Sequence, residues 1–397
     1  SIIPGWGGTQ LAPRLAGPEA AVKLIVSNPL RQNRLLKAEE AFELGFVDRL
    51  LEPVEFVDES LAYAVELVEA GGIDRPEPDW SEAETTFRKA RARVEDAVHG
   101  ATRAPYVALD LIAGAQGWSL EEGYAAEEQA LGELMTSPQA KAAAYAFTVV
   151  ERRSKKGEGI PDVPPRKVQK VGIVGAGLMA TQLATLFLRR LEVPVVLRDI
   201  EQSRVDEALA TIRAEVGAKQ PFLATIVDGG AGWEQFAGCD LVLEAVFEEL
   251  AVKREVFAGV RKVAPEAILA TNTSSLSVEA MGADVGLHFF NPVAVLPLVE
   301  VVRTPQTTDE QLATAWDVVR RLKKRGVLVG DAPAFVVNRV LTRMTTVLMD
   351  ALEHGNTVEE TDEAVLSLGL PMAPSVLLQM VGPRVANHVL VTLHESY

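Results

Sequence analysis

The sequence predicts an α/β protein in which a doubly wound, mainly parallel sheet is preceded and followed by all-helical segments. Three observations carry this prediction. Over residues 168–329, short apolar runs alternate with helical patterns, the texture of an open parallel sheet covered by helices. The first of those runs ends in a glycine-rich turn that opens a helix. Before residue 165 and after residue 331 the periodicity is helical only.

A glycine-rich turn, Pro4-Gly5-Trp6-Gly7-Gly8-Thr9-Gln10, opens the chain. Helices are expected over 18–26, 37–44 and 57–69, the last with Leu61, Val65 and Val68 on one face and Gly71-Gly72 as its stop. The polar stretch 74–79, with two prolines, reads as a boundary or surface loop. Residues 81–153 read as helical throughout, with Glu127, Leu131 and Leu134 at helical spacing and Pro138 restarting a helix. Residues 154–165, rich in Gly, Pro and charge, form the clearest linker. Strands are expected at 168–174, 193–197, 240–246, 267–270, 286–289, 298–302 and 327–329. A long apolar-faced helix over 335–354 and a second over 358–368, ended by Gly369, close the pattern. The expected division is therefore 1–100, a connecting helical region 101–165, a sheet domain 166–331 and a helical domain 332–397.

Composition narrows the function classes. At roughly 100–200 residues per domain, 397 residues suit two to four folding units. An apolar share of 48% and a charged share of 24% exclude a disordered chain. The net charge of −16 argues against nucleic acid as a partner. Cys239 is the single cysteine, so no intrachain disulfide exists, which fits a reducing compartment. No apolar run reaches the ~18–20 residues of a membrane span, so membrane association is not indicated and a cytoplasmic location is expected.

The turn Gly175-Ala176-Gly177-Leu178-Met179-Ala180 carries the most specific local chemistry. Glycines there let the backbone approach a pyrophosphate, and the helix that follows offers unpaired N–H groups and partial positive charge. Ala180 serves as the third small residue, for close packing of helix on strand. The next apolar strand ends in Asp199, 24 residues beyond Gly175, the place of a carboxylate that binds ribose hydroxyls and repels a 2′-phosphate. The pattern predicts a Rossmann-type domain using NAD rather than NADP.

His288 and Glu300 stand out because each is the one ionisable residue in an apolar run, GLHFF and LVEVV. Burying either alone would cost several kcal/mol. Adjacent strands joined by a short turn would let each satisfy the other, and an imidazole oriented by a carboxylate is a general base. Spacing alone leaves a structural buried pair open. His99, His354, His388 and His394 fall in helical stretches and need no special role. Thr271-Asn272-Thr273-Ser274-Ser275 follows a strand, where doubly wound folds bind ligands, though it could equally be a helix cap. Asn338 begins the first long helix of the last unit and would project towards a cleft or towards solvent. Glu244, Glu248 and Lys253 are candidates by position only.

At these residues the sequence resembles the L-3-hydroxyacyl-CoA dehydrogenase family. The matching pieces are VGIVGAGLMA, DLVLEAVFEEL, ATNTSSLS, GLHFFNPV, LVEVV and DAPAFVVNRVLTR, in the family's order across 168–397. The first segment, IIPGWGGTQLAPRLAG with NPLRQNRLLKAEEAFELGFVD, is similar to the second half of a crotonase-like enoyl-CoA hydratase. A hydratase joined through helices to such a dehydrogenase resembles the multifunctional alpha subunits of fatty-acid oxidation complexes.

The resemblance implies fatty-acid beta-oxidation: NAD-dependent oxidation of a (3S)-3-hydroxyacyl-CoA thioester to the 3-ketoacyl-CoA. It implies His288 as the base for the 3-hydroxyl proton, with Glu300 orienting it and Ser274 and Asn338 bonding the reacting oxygen. Gly175, Gly177, Leu178 and Met179 would cradle the cofactor phosphates, Asp199 and Glu248 would bind its riboses, and Lys253 and Asn272 would lie near cofactor or substrate. A thiolase beta subunit in a hetero-oligomeric complex is the implied partner. The family's hydratase glutamates lie upstream of the segment matching residue 1, so this chain is not expected to hydrate enoyl-CoA. The stretches 274–288 and 218–229 are shorter than usual, and Ala180 and Ala334 stand where glycine is common, the second implying a small shift where the long helix starts. Two other readings remain at this point: a scaffold that docks a partner, and a dehydrogenase of free 3-hydroxyacids with a lysine base, against which the His288–Glu300 pair argues.

Overall fold

In the computed structural model, which describes residues 2–31 and 33–396, the apolar runs build one eight-stranded sheet. Its strands are β1 (Val171–Val174), β2 (Val195–Arg198), β3 (Val227–Gly230), β4 (Leu241–Glu244), β5 (Ile268–Thr271), β6 (Val285–Phe289), β7 (Leu298–Arg303) and β8 (Arg325–Gly330). They lie in the order β3-β2-β1-β4-β5-β6-β7-β8. All pairings are parallel except β6 with β7, so β7 and β8 run against the other six. Chain order reverses between β1 and β4, which opens a crevice at their carboxyl ends.

Both faces of the central strands are covered, which is why their sequences are continuously apolar rather than alternating. On one face Ile173, Leu197, Leu241 and Leu243 pack with Leu183, Phe187 and Leu188 of the helix Leu178–Leu191. On the other, Val174, Val242 and Leu269 pack with Phe257 and Val260 of the helix Leu250–Val263 and with Phe236. Each such side chain contributes roughly 1.5–3 kcal/mol when fully buried.

The sequence passed over β3. Its residues, Val-Asp-Gly-Gly, offer one apolar side chain and two glycines, and it forms the sheet edge beyond β2, where only one neighbour is needed. The stretch 81–153 is not one continuous helical run. It divides into the helices Ala83–Val98, Ala104–Gly114, Leu120–Thr136 and Pro138–Val150, followed by a π-helical turn, Glu151–Lys155. The breaks have local causes: left-handed backbone at His99 and Gly100, and a capping box in which Ser119 and Glu122 bond each other's backbone N–H. The first helix starts earlier than expected, at Gly8, bends at Gly17 and continues as a π-helical turn, Lys23–Ser27.

The chain separates into two compact units, Ser1–Ala146 with Gly355–Leu377, and Phe147–His354 with Leu378–Tyr397. In the first, Glu127 is buried because it caps the start of the helix Gly8–Val22, accepting from the Gly7 and Thr9 N–H groups at 2.6 and 2.7 Å and from the Thr9 hydroxyl. The helix Phe56–Ala70 forms as expected, but Leu61, Val65 and Val68 on its apolar face are exposed. In the second unit, the helix Val337–Glu353 follows the sheet. Helices Val358–Leu366, Pro374–Val381 and Pro383–Ser396 complete the chain, and the side chain of His388 lies outside the described residues. Among the described residues no helix is long and apolar enough to cross a membrane.

Candidate active site

The loop after β1 places the glycines at the crevice. Gly175 has φ 116°, and a Cβ there would meet the Ala245 carbonyl oxygen at 2.6 Å, so no other residue fits. Gly177 is exposed with open space around the position of a Cβ. It precedes the helix Leu178–Leu191, whose N-terminus no side chain caps, leaving first-turn N–H groups for an anion. Ala180 is wholly buried and permits the close helix–sheet approach. Asp199, just past β2, is fixed by the Ala176 N–H at 3.0 Å and the Glu201 N–H at 3.3 Å.

These residues fit NAD. The cradle is open where a pyrophosphate would lie, and a carboxylate stands just past the end of β2. The adjacent cation, Arg198, is stacked on Trp233 at 3.6 Å with its Nε bonded to the Ala231 carbonyl, so it is not offered to a 2′-phosphate. Sequence reasoning missed Ile200 and Phe247, which are 78% and 73% exposed at the ends of β2 and β4. Large apolar side chains left open beside the cradle suit the flat face of a base. The available signal was an apolar residue directly after each strand-end acid or turn.

A second cluster joins β4, β5 and the helix Leu250–Val263. The Lys253 ammonium sits between Glu244, at 2.7 and 2.9 Å, and Glu248, at 3.1 Å. Glu248 also accepts from the Ser274 N–H at 2.9 Å and from the Thr273 hydroxyl. Burial pushes the Glu248 carboxyl up, but Lys253, Thr273 and Ser274 outweigh it and hold the group below the ordinary glutamate value. Asn338 donates from Nδ2 to the Ser274 carbonyl at 2.9 Å, so the start of the helix Val337–Glu353 is tied to the loop after β5.

The third group is the His288–Glu300 pair. The antiparallel register of β6 and β7 sets the two residues directly opposite each other, with His288 Nδ1 2.7 Å from Glu300 Oε2. A carboxylate can only accept, so Nδ1 carries a proton, and in the neutral ring Nε2 is the nitrogen with the free lone pair. Phe290 and Phe335 flank the ring at 4.4 and 5.8 Å, limiting its rotation. Glu300 Oε1 accepts from the Val336 and Val337 N–H groups at 3.0 and 2.9 Å. The preceding residues, Ala334 and Phe335, have φ values of 59° and 49°. Ala334 thus holds a left-handed conformation that glycine adopts without the ~1–2 kcal/mol cost.

The predicted residues therefore gather in one unit. Asn272 links two of the groups, since its Oδ1 accepts the Phe289 N–H at 2.9 Å. Ser274 presents a partly exposed hydroxyl, 3.5 Å from Glu248. Leu178 and Met179 form the first helical turn at the cradle. Lys253 is enclosed, at 1% exposure, with its ammonium on the two carboxylates rather than open to a ligand.

Comparisons with known proteins cover the stretch of chain that carries these residues. Residues 170–332 match the family profile described as 3-hydroxyacyl-CoA dehydrogenase, NAD binding domain. Residues 335–397 match its C-terminal domain, so the two profiles together span more than half of the chain. The glyoxysomal fatty acid beta-oxidation multifunctional protein MFP-a of Brassica napus is 29% identical over 416 residues, covering 97% of this chain and 56% of that protein. The peroxisomal fatty acid beta-oxidation multifunctional protein MFP2 of Arabidopsis thaliana is 30% identical with the same coverage. The chain thus spans about half the length of the curated relatives it matches. The crystal structure of (S)-3-hydroxybutyryl-CoA dehydrogenase PaaH1 from Ralstonia eutropha aligns at 28% identity with a TM-score of 0.54, over 58% of this chain and 88% of that one.

Proposed function

Because the chain belongs to the 3-hydroxyacyl-CoA dehydrogenase family through residues 170–397, we propose that it oxidises a (3S)-3-hydroxyacyl-CoA thioester to the 3-ketoacyl-CoA in fatty-acid beta-oxidation. The observation that carries this is the enclosed His288–Glu300 pair, registered across β6 and β7 with Nε2 left as a base. NAD is the cofactor, and when bound it supplies the acceptor for the hydrogen on C3 and its electron pair.

The protein's own groups do the rest. His288 Nε2 takes the proton of the 3-hydroxyl as the carbonyl forms. Glu300 keeps the ring in the required tautomer and offsets the positive charge that arises, an effect strengthened by the low dielectric around it. The Ser274 hydroxyl and the Asn338 amide hydrogen-bond the reacting oxygen. Asp199 and Glu248 hold the cofactor riboses, and Gly177 with the uncapped first turn at Leu178 and Met179 holds its phosphates.

NADH formation from 3-hydroxybutyryl-CoA tests the reading directly. His288→Ala is expected to lower kcat by about 10²–10⁴-fold. A variant with the unaltered rate removes His288 as the base.

For the whole protein the proposal is wider. It includes an enoyl-CoA hydratase activity, a hetero-oligomeric complex with a thiolase beta subunit, a cytoplasmic location and the four-part division at residues 100, 165 and 331. The hydratase part is supported by the glycine-turn segment at the start of the chain and by the multifunctional relatives, whose own names place them in glyoxysomes and peroxisomes rather than the cytoplasm. Purification without a thiolase would remove the partner from this proposal.

A further inference from the structure

Glu244 ends β4 as a wholly buried carboxylate to which the proposed reaction gives no task. Four hydrogen bonds meet it. Lys253 Nζ lies 2.7 and 2.9 Å from its two oxygens, the Thr271 hydroxyl donates at 2.7 Å, and the Val246 N–H donates at 2.6 Å. Lys253 extends the same ammonium to Glu248, whose other oxygen accepts from the Ser274 and Ser275 N–H groups at 2.9 and 3.3 Å. One chain of bonds therefore runs from the interior of the sheet to the loop that carries Ser274.

The arrangement is more than a buried ion pair. A lysine ammonium sits on a flexible four-carbon stem with many rotamers. Here Thr271 and Val246 fix the Glu244 carboxylate, and the carboxylate fixes the ammonium through both oxygens. Of the three charges only Glu248 reaches the surface, its side chain 25% exposed against 1% for Lys253 and 0% for Glu244. Lys253 therefore acts on a ligand in the crevice through Glu248.

We propose that Glu244 is a positioning residue for the NAD site: through Lys253 it holds Glu248, and with it the loop 273–275, in the geometry that receives the cofactor ribose. The inference rests on the dehydrogenase reading above.

Glu244→Gln keeps the side-chain shape and removes the charge that orients Lys253. The dissociation constant of NADH, read from the fluorescence of the bound dinucleotide, is expected to rise about tenfold. KM for NAD rises in parallel, while KM for 3-hydroxybutyryl-CoA stays within about twofold. Lys253→Met gives a similar loss of NADH affinity. The double variant Glu244→Gln/Lys253→Met binds NADH no more weakly than Lys253→Met alone, because one residue acts through the other.

A purely structural role would lower the melting temperature and leave NADH affinity unchanged well below it. That result, or losses that multiply in the double variant, overturns the proposal. Should Glu244→Gln fail to fold, Thr271→Val removes one bond to the same carboxylate and is expected to weaken NADH about threefold; unchanged affinity there also overturns it. A chain that binds NADH yet leaves 3-hydroxybutyryl-CoA unoxidised rejects the dehydrogenase reading, while the same dissociation constants still decide the role of Glu244. A chain that does not bind NADH rejects both.

Discussion

Glu300 gives one oxygen to His288 and the other to the Val336 and Val337 N–H groups, so a glutamine there can satisfy one side only. Glu300→Gln is expected to lower kcat by about 10²–10⁴-fold through the misheld imidazole. It should also cost about 1–3 kcal/mol of stability in urea unfolding, from a buried group left without its partner. A variant that loses rate with stability intact would show that the glutamine oxygen keeps the Val336 and Val337 bonds while its amide mishandles the imidazole. At this scale the sequence was half legible. His288 and Glu300 were visible because each interrupts an apolar run, and burial makes such an interruption expensive. The second task of Glu300 was not, because Val336 lies 36 residues away and offers only backbone. Lys253 was legible as near the site, but its enclosure between two carboxylates depends on how the helix Leu250–Val263 packs against β4 and β5.

The turn between β1 and the helix Leu178–Leu191 shows how neighbouring glycines differ. Gly175→Ala puts a methyl group on the Ala245 carbonyl in a positive-φ conformation, and a loss of about 2–4 kcal/mol in thermal or urea unfolding is expected. Gly177→Ala meets nothing within 4 Å and has φ −77°, so stability should fall by no more than about 1 kcal/mol, the cost of changing an N-cap, while NADH affinity falls. Equal destabilisation by both would contradict the cradle assigned to Gly177. Element type was readable wherever a run was apolar on both faces, as in β1, β4 and β5. The reading failed at β3, where edge pairing rather than apolar content makes the strand. On the helix Phe56–Ala70 periodicity gave the element correctly, whereas the exposure of Leu61, Val65 and Val68 is decided by what packs beside it.

Across the whole molecule, 55 acidic residues against 39 basic ones make acid the natural probe of the charge network. The Glu248 carboxyl titrates below the ordinary glutamate value of 4.5, so its contribution to stability is complete above 4.5 and is lost as pH falls through the lower folded value. Lys253→Met removes the cation that holds it there. Its stability deficit should be largest near neutral pH and narrow below about pH 4.5, since a protonated carboxyl needs no counter-charge. A deficit independent of pH would mean that packing, not charge, sets the role of Lys253. The doubly wound sheet, the glycine turn followed by Asp199, and the family are all legible in the sequence. These depend on local signals: apolar periodicity, a glycine spacing, and one acid at the end of the next strand. Tertiary packing sets His288 against Glu300 in register, ties Glu300 to the start of the last long helix, and places Glu244 and Lys253 behind Glu248. Those contacts join residues from 5 to 37 positions apart. Their partners are chosen by strand order and strand direction, which no local pattern contains.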